Sequence, residues 1–563
     1  MKTELEKRIA EACQALFEAE AKIELTRPEE KFGDYATNAA LQLSKQLGKN
    51  PREIAEALAV KLRETLAAQI SEVSVAGPGF INLKLSDQTL AAALNVNPAQ
   101  SLAGKVIVAE YSDPNPFKVL HAGHLYTSIV GDAIANLLEQ AGATVHRVNF
   151  GGDVGLHVGK SMWGIIKELG GEKPEGLQKI GLEDLDTRAG WMAARYVEGH
   201  EAYENDPAAK EEIVALNKKV YALHDQNDHD SPFAKIYWTC REWSYQYFDY
   251  FYQTLGVQPF RYYPESETAP KGIAKAKELL EKGVLEQSEG AVVFKGEGHG
   301  LHTRVFLTKE GLPTYETKDL GLIFVKYDDY HFDKSVVITG NDIVEYMKVV
   351  LKVVDQVAPE LAAATTHLTH GLVKLAGGEK MSSRKGNVVG ALEIIDSAAQ
   401  AARETHAIED KDTEKQTVFG AIKYAFLKNR VGGDTIYDPK ESVSLEGNSG
   451  PYLQYAHARA RSILRKAGGE QPGGLAELEP GERSLARKLS EYPEVIDLAV
   501  NELMPHHVCT YLYELAQAFN RFYEHNRVIG DARQATRLKL VEHYAETLKS
   551  GLKLLGIAAP EQM

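Results

Sequence analysis

The chain has 563 residues, of which 44% are hydrophobic and 25% are charged, a composition that is typical of soluble proteins with several domains. Its formal charge of −15 argues against indiscriminate binding to nucleic acid, but RNA could still be held by local basic patches. The three cysteines are far apart, and there is neither an apolar stretch of membrane length nor a signal-peptide pattern, so we expect a reducing, cytoplasmic compartment without a disulfide framework.

Residues 1–100 are expected to form a separate α+β unit. Asn50 and Pro51 supply the N-cap and first-position residues that helices prefer, and an apolar helical face follows them. Segments 72–76 and 80–85 flank a Gly-Pro-Gly turn and predict a β-hairpin. The polar and aromatic segment 32–38 interrupts the helices.

A nucleotide-binding unit is predicted next. Residues 106–109 read as a buried strand, and the loop from Glu110 to His124 leads into a helix with apolar residues at helical spacing. That helix should stop near Gly142, and residues 144–150 should form the following strand. Strand, loop, helix and strand predict the first unit of a parallel sheet, whose ligands bind at the carboxyl ends of the strands.

The loop after the first strand carries groups suited to a phosphate. His121 and His124 lie at i and i+3 at the mouth of the helix, and Gly123 removes a side chain between them. The helix start attracts anions, and Lys118 and the two imidazoles add donors that can stabilise charge on a phosphate. A structural metal pair is the alternative, although no cysteine or third histidine stands nearby at ligand spacing.

The second strand ends in a glycine-rich turn that contains Gly151 and Asp153. Such a turn lets backbone amides approach a nucleotide, and Asp153 could hold a hydroxyl. Residues 165–255 are predicted to be helical, and the dense aromatic run over 237–252 is more typical of a core than of a stacking platform.

Tyr315 and Asp319 share one face at the start of a further helix. Asp319 could simply complement the helix dipole. The alternative is recognition of a guanidinium, which is planar, always charged and needs carboxylates in bidentate reach beside an aromatic or hydroxyl wall. Two more strands are predicted nearby, over 335–339 before Asn341 and over 372–375 after His370.

A basic loop follows at 380–387. Three cations and two hydroxyl groups within six positions suit a triphosphate, whereas a solvated charged turn is the alternative. Residues 396–563 then look all-helical. Between 416 and 466 there are eight Lys or Arg and four Asp or Glu, so this local positive excess is where we expect contact with an RNA backbone, with an exposed helical face as the alternative.

Two of these segments together resemble the paired signatures of class I aminoacyl-tRNA synthetases. They are His121-Ala122-Gly123-His124 and Lys380-Met381-Ser382-Ser383-Arg384. The second lysine of the family's loop is replaced here by Ser383, which leaves Arg384, Lys385 and Lys118 as candidates for its role.

Five further segments resemble the arginyl branch of that class. Segments 32–38 and 77–82 resemble its extra N-terminal domain, which touches the D-arm corner of the tRNA. The turn at 151–155 resembles its glycine-rich motif, and 313–320 resembles the helix whose Tyr and Asp hold the guanidinium. Segment 450–459 resembles the start of its anticodon-binding domain.

The resemblance implies an α/β protein of class I synthetase architecture. We expect an α+β N-terminal domain over 1–100 and a Rossmann-like parallel-sheet catalytic domain over 101–395. A helical insertion at about 165–255 would split the catalytic domain, and an all-α anticodon-binding domain would cover 396–563. A monomer without membrane attachment is expected.

The resemblance also implies site residues. The catalytic candidates are Lys118, His121, His124 and Lys380. The candidates for ATP binding are His121, Gly123, His124, Gly151, Asp153, His370, Lys380, Ser382, Ser383 and Lys385. The candidates for arginine binding are Glu110, Asn115, Tyr315, Asp319 and Asn341. Mg²⁺ is expected to escort the ATP, and no metal site built from protein side chains is expected.

The implied activity is the ATP-dependent charging of tRNA(Arg) with L-arginine through an adenylate, with tRNA required before activation. Three alternatives stay open: a tRNA-independent nucleotidyl transferase of the same fold, a non-catalytic RNA-binding relative, and a synthetase for another amino acid. The first would not need the terminal units. The second has no need for the signatures and the acidic pocket together.

Overall fold

A parallel five-stranded sheet occupies the middle of the chain, with an α+β unit before it and a helical bundle after it. The structure is a computed structural model that describes residues 1–376, 389–405, 410–468, 473–475 and 477–563. Lys380, Ser382, Ser383 and Lys385 of the predicted triphosphate loop therefore lie outside the described residues. Within the described residues, no helix combines the length and the apolar character that crossing a membrane requires.

The N-terminal unit packs helices on an antiparallel sheet of order β1-β2-β4-β3. Its elements are α1 Lys2–Phe17, β1 Leu25–Thr26, β2 Tyr35–Thr37, α2 Ala39–Leu47, α3 Pro51–Thr65, β3 Ile70–Ala76, β4 Phe80–Leu85 and α4 Asp87–Ala93. The predicted hairpin is confirmed, because β3 and β4 pair with Ile81 and Leu83 buried and Lys84 exposed. The predicted helix start is also confirmed, since the Asn50 side chain accepts a hydrogen bond from the Arg52 N–H at 2.9 Å.

The five-stranded sheet has the order β12-β11-β5-β6-β7, and every neighbouring pair is parallel. Its strands are β5 Val106–Glu110, β6 Thr144–Gly151, β7 Arg261–Pro264, β11 Lys334–Gly340 and β12 Thr365–His370. The chain runs from β5 outward to β7 and then crosses to β11 on the other side of β5. This reversal places a crevice at the carboxyl ends of β5 and β11, where ligands of such sheets bind.

Helices cover both faces of the sheet and fill the connection between β6 and β7. The helices are α5 Ala122–Gln140, α6 Leu156–Glu168, α7 Leu177–Ile180, α8 Leu185–Asn205, α9 Pro207–Asp225, α10 Pro232–Leu255, α11 Glu265–Glu281, α12 Tyr315–Tyr330, α13 Val344–Asp355, α14 Pro359–Ala364 and α15 Ala391–Thr405. A small antiparallel sheet is formed by β8 Glu286–Ser288, β9 Ala291–Phe294 and β10 Arg304–Leu307. The aromatic run in α10 is mainly core, as predicted, because Tyr237, Phe248 and Phe251 are at most 1% exposed.

The C-terminal bundle follows α15. Its elements are α16 Lys411–Leu427, α17 Pro439–Ser442, α18 Gly450–Lys466, α19 Pro480–Leu489, α20 Tyr492–Glu502, α21 His506–His525 and α22 Gln534–Leu554. Helices dominate as predicted, with one difference. The short strand β14 Thr435–Tyr437 pairs in parallel with β13 Val373–Leu375. Its side chains alternate as in a half-buried strand, since Thr435 and Tyr437 are buried while Ile436 between them is 68% exposed.

Lys423 shows that net charge alone does not locate an RNA surface. This residue was counted in the basic stretch 416–466, but it is only 4% exposed and donates to the Gly556 carbonyl at 2.6 Å. Burial lowers its pKa and the nearby Asp132 partly offsets that effect. Lys423 is therefore a structural cation and not a partner for an RNA phosphate.

The polar segment 32–38 attaches the N-terminal unit to the bundle. Asp34 is 0% exposed and lies 2.7 Å from Nη2 of Arg483 and 3.5 Å from Nε of Arg487, both on α19. Tyr35 donates its hydroxyl to Glu494 of α20 at 2.6 Å. Because these side chains are occupied, the exposed members of the segment, such as Phe32 at 45%, are the ones left for an outside partner.

Replacing Asp34 with alanine is expected to destabilise the protein by about 1.5–3 kcal/mol, because charge-assisted hydrogen bonds are lost and two arginines keep weaker partners. The urea midpoint measures the effect. Glu29→Ala is the matched control, since the side chain of Glu29 is 72% exposed and pairs only at the surface. Equal midpoints for the two variants would contradict the attachment role.

Candidate active site

The loop after β5 carries backbone strain at the mouth of the crevice. Ser112, Asp113 and Phe117 have positive φ values of 75°, 51° and 68°, which non-glycine residues rarely adopt. Two side chains of α10 hold the loop: the hydroxyls of Ser112 and Tyr252 lie 2.7 Å apart, and Ser244 accepts the Phe117 N–H at 2.9 Å. Strain that is maintained by surrounding contacts is typical of functional sites.

His121 and His124 face the crevice as a stacked pair at the start of α5. Their ring centroids are 3.7 Å apart. Nδ1 of His124 accepts the His121 N–H at 3.1 Å, and Nδ1 of His121 accepts the Gly123 N–H at 3.1 Å. Because both Nδ1 atoms are acceptors, the proton of each neutral ring is on Nε2.

Both rings are neutral at physiological pH. Burial and then Lys118 lower the pKa of His121 to about 4. Burial, together with His121 and Lys118, lowers the pKa of His124 well below its usual value. The pair therefore presents two Nε2–H donors at the positive end of a helix, which is an arrangement suited to an anion.

Gly123 has a structural role beside the predicted one. A Cβ atom built at this position would lie 2.8 Å from Cε1 and 2.9 Å from Nδ1 of His121. The missing side chain thus makes room for the His121 ring. The glycine serves the histidine pair directly, and close approach by a ligand is not needed to explain it.

His370 lies at the carboxyl end of β12 and packs against α5. Its Nε2 is 2.7 Å from the Thr127 hydroxyl, and its Nδ1 is 2.8 Å from the Gly371 carbonyl. Burial lowers its pKa, so the neutral ring donates from Nδ1 to the Gly371 carbonyl, and its Nε2 shares the Thr127 hydroxyl proton with the Gly123 carbonyl, which lies 2.7 Å from that hydroxyl. Both ring nitrogens have protein partners, so any contact of His370 with a nucleotide must use the face of its ring.

Four carboxylates and two lysines converge beneath α12. Glu110 and Lys326 form a buried ion pair, with 2% and 1% exposure. Glu265 pairs with Lys318 at 2.5 Å, and both side chains are 4% exposed. These two pairs are electrically neutral, so neither carboxylate alone makes the pocket acidic.

Asp319 and Asp113 supply the excess negative charge. Asp319 is 7% exposed, and no cation or hydrogen-bond donor contacts its carboxylate among the residues that the structure describes. Burial, Glu110 and Glu265 raise its pKa well above the usual value. Burial and Glu110 also raise the pKa of Asp113, whose carboxylate accepts the Phe150 N–H at 2.7 Å. When both carboxyls are ionised, the pocket is therefore short of two positive charges.

Asn115 and Gly151 join the loop to the end of β6. The Asn115 side-chain oxygen accepts the Gly152 N–H at 2.7 Å, which leaves its amide N–H groups for a ligand. A Cβ on Gly151 would lie 2.5 Å from the Pro114 carbonyl, so this glycine permits the close contact between loop and strand. His157 completes the turn by bonding the Gly152 carbonyl at 2.7 Å.

Asp153 does not have the surroundings of a nucleotide ligand. Its side chain is 0% exposed, and its carboxylate accepts from Nε of Arg241 at 2.9 Å and from the N–H and hydroxyl of Ser266 at 2.9 and 2.7 Å. The prediction that Asp153 holds a ligand hydroxyl therefore conflicts with the geometry. The carboxylate instead joins the turn after β6 to α10 and α11.

Tyr315 and Asn341 lie at the rim. Tyr315 starts α12 and is 58% exposed, one turn before Asp319, as the spacing predicted. Asn341 begins a 3-10 turn, Asn341–Ile343, directly after β11 and is exposed. Both residues can reach a ligand in the crevice only from its edge.

Sequence reasoning did not identify Lys318, Lys326 or Glu265. A weak signal for Lys326 was present, since it is the first charge after the apolar run 320–325. A buried lysine is almost always paired. No local signal existed for its partner, because Glu110 is 216 positions away.

A metal site at the histidine pair would need further ligands, and the described residues supply no third one. Among the described side chains, no three His, Cys, Asp or Glu residues converge as metal ligands would. The two Nδ1 atoms are already acceptors of backbone N–H groups. The geometry gives a pair of donors and not a pair of ligands.

Comparison with known proteins identifies the chain. Family models described as arginyl tRNA synthetase N terminal domain, tRNA synthetases class I (R) catalytic domain, and DALR anticodon binding domain match residues 2–85, 87–438 and 453–563. An arginine–tRNA ligase from Porphyromonas gingivalis is 30% identical over 99% of each chain. One from Frankia casuarinae is 32% identical over 96% of this chain and 94% of its own.

The solved structures agree with these matches. The arginyl-tRNA synthetase of Thermus thermophilus is 26% identical, covers 100% of both chains and has a TM-score of 0.81. The parallel sheet with a histidine pair at its carboxyl edge is thus the catalytic domain of a class I aminoacyl-tRNA synthetase. Within that class the chain belongs to the arginyl-tRNA synthetase family, and it is an arginine–tRNA ligase in its enzyme class. The predicted fold class is confirmed.

Proposed function

We propose that the acidic pocket beneath α12 binds L-arginine and that the histidine pair binds ATP beside it. The observation that carries this proposal is Asp319, a buried carboxylate without a cationic partner among the described residues. Together with Asp113 it leaves the pocket two positive charges short. Arginine has two cations, its guanidinium and its α-ammonium group, which can pair with these two carboxylates, while its own α-carboxylate is the group that reacts with ATP. Glu110, Asn115, Tyr315 and Asn341 are the proposed neighbours of the bound amino acid.

The chemistry proposed at the phosphate needs no protein nucleophile. A carboxylate oxygen of arginine attacks the α-phosphorus of ATP, and the bond to the bridging oxygen breaks to release pyrophosphate. A terminal ribose hydroxyl of tRNA(Arg) then attacks the acyl carbonyl of the adenylate, and AMP leaves. The protein supplies positioning and charge stabilisation for both steps.

His121 and His124 are proposed to donate their Nε2–H groups to the α-phosphate, with Lys118 supplying positive charge. Gly123, Gly151 and His370 are proposed to shape the ATP site. Lys380 and the loop that contains Ser382, Ser383 and Lys385 are proposed to hold the departing pyrophosphate. Mg²⁺ is proposed to accompany ATP, since this ion keeps phosphate and water ligands and needs few protein ligands.

The wider organisation is also a proposal. We take residues 1–100, 101–395 and 396–563 as the tRNA-contacting, catalytic and anticodon-binding domains, with tRNA required for arginine activation. The enzyme is proposed to act in the cytoplasm as a monomer, because one chain holds all three kinds of domain that the family models name. Sedimentation of the pure protein tests the monomer.

Exchange of labelled pyrophosphate into ATP tests the substrate assignment. We expect exchange with arginine in the presence of tRNA(Arg), little exchange without tRNA, and little with lysine or citrulline. Citrulline keeps the shape of arginine and removes its charge, so it is the matched control for the acidic pocket. Exchange with citrulline equal to that with arginine would sink the charge argument, and exchange without any tRNA would favour a tRNA-independent transferase.

A further inference from the structure

Lys118 lies three positions before His121 in the sequence, and its ammonium group makes a cation–π contact with an aromatic ring. Its Nζ lies 4.4 Å from the ring centroid of Tyr196 on α8. No carboxylate of the described residues lies within ion-pair distance of that ammonium group. Burial and then the neighbouring Lys160 lower the pKa of Lys118, and Glu265 partly offsets them.

A face of α8 lies along this loop and α6. Tyr196, His200 and Tyr203 follow one another at intervals of four and three residues, so they share one side of the helix. Nζ of Lys160 lies 2.9 Å from Nδ1 of His200 and 4.2 Å from the ring centroid of Tyr203. α8 thus contacts Lys118 through a tyrosine ring and Lys160 through His200 and Tyr203, with the carboxylate of Glu204 farther from Lys160, at 3.6 Å.

The packing that brings α8 this close depends on Gly199. A Cβ on that residue would lie 2.0 Å from the carbonyl oxygen of Lys160. The two helices therefore approach to backbone contact, and Tyr196 is carried on a rigid element. A side chain on such an element is fixed more accurately than one on a loop.

We propose that Tyr196 is a positioning residue for Lys118. A carboxylate in its place would neutralise the ammonium group and compete with phosphate for its protons. The face of an aromatic ring attracts the cation without cancelling its charge. The ring of the insertion helix thus orders Lys118 and leaves its donors free for ATP. This inference rests on the proposed role of Lys118 at the phosphates.

A double-mutant cycle tests the inference. Tyr196→Leu is expected to lower kcat of arginine-dependent pyrophosphate exchange about tenfold, with the KM for arginine unchanged, whereas Tyr196→Phe keeps the ring and near wild-type activity. Because Tyr196 acts through Lys118, Tyr196→Leu should have no further effect in a Lys118→Ala background. Tyr250→Leu is the control for a tyrosine lost from another insertion helix, as Tyr250 is 45% exposed.

The outcomes separate the two proposals. Wild-type exchange by Lys118→Ala overturns the role of Lys118 and the inference with it. If Lys118→Ala slows exchange and Tyr196→Leu does not, the inference alone is overturned. The same holds if both changes slow exchange and their effects are fully additive in the double variant. If Tyr196→Leu melts early, phenylalanines of increasing fluorination at position 196 keep the shape and weaken the attraction for cations. The rate should fall with each fluorine, and a constant rate would refute the positioning role.

Discussion

Asp319→Ala is expected to weaken arginine binding by about 2–5 kcal/mol, which is the usual effect of truncating one partner of a buried charge pair. In the free protein this carboxylate is 7% exposed and faces Glu110 and Glu265 without a cation of its own. We propose that arginine supplies that cation when it binds. Titration calorimetry in the presence of tRNA(Arg) measures the loss directly.

Asp319→Asn, which keeps the shape of the side chain, should leave the fold as stable as before or make it more stable. Removing a buried carboxylate that repels its neighbours relieves a cost of the free protein, so the melting temperature of Asp319→Asn should not fall. Asp328→Ala is the matched control, because Asp328 stands on the same helix but is 56% exposed in a surface pair with Lys271. Neither arginine binding nor stability should change much in that variant.

The pH dependence follows from the raised pKa of Asp319. A carboxyl group whose pKa is higher in the folded than in the unfolded protein binds more protons when folded, so its contribution to stability falls as the pH rises from the unfolded to the folded pKa. Arginine favours the ionised form, so its binding should release protons and weaken as the pH falls below that raised pKa. Asn at position 319 should reduce both slopes and leave the part that comes from Asp113, whose pKa is also raised. Unchanged affinity, or an unchanged pH slope, would show that the guanidinium lies elsewhere.

Local patterns were sufficient to predict the scaffold of the site. The apolar run after Lys105, the helix that ends before Gly142 and the strand that follows it reproduce β5, α5 and β6 within about one residue at most ends. The i, i+3 spacing brought His121 and His124 together, and the i, i+4 spacing placed Tyr315 one turn before Asp319. These features depend on neighbours along the chain, so periodicity and capping are enough to find them.

The charge balance of the pocket could not be predicted in the same way. Whether Glu110 is free or neutralised depends on Lys326, which reaches it across 216 positions of sequence. Asp153 was expected to contact ligand, but Arg241 and Ser266 occupy it from two other helices. Lys423 adds to the positive charge of its sequence segment, but its side chain is buried and donates to the Gly556 carbonyl. Each case turns on tertiary partners, for which a single sequence carries no local signal.

The histidine tautomers also required coordinates. The sequence indicated two imidazole donors, and only the backbone contacts of the Nδ1 atoms assign the proton of each ring to Nε2. That assignment changes the expected chemistry. Neutral donors act across the physiological pH range, whereas imidazolium ions would lose their charge near neutrality.

His124→Ala is expected to lower kcat for arginine activation by about 10²–10³, the usual effect of removing one preorganised donor from a site of developing charge. The KM for arginine should change little, because the side chain is proposed to contact phosphate and not the amino acid. Pyrophosphate exchange with saturating tRNA(Arg) gives both constants. His146→Ala is the control for loss of an imidazole. His146 lies near the start of β6, at the end away from the crevice, and its ring centroid is 4.1 Å from that of Tyr330.

His124 also accepts the His121 N–H, so alanine removes part of the cap of α5, which is worth about 0.5–2 kcal/mol of stability. His124→Asn separates the two roles, because its side-chain oxygen can still accept that N–H while the Nε2 donor is gone. We expect it to melt near wild type and to be as slow as His124→Ala. Since the pKa of His121 is about 4, the wild-type rate should show no histidine titration between about pH 6 and 8. Recovery of activity in His124→Asn, or a rate that falls as these rings lose a proton near neutrality, would assign the pair a structural or cationic role in place of neutral donation.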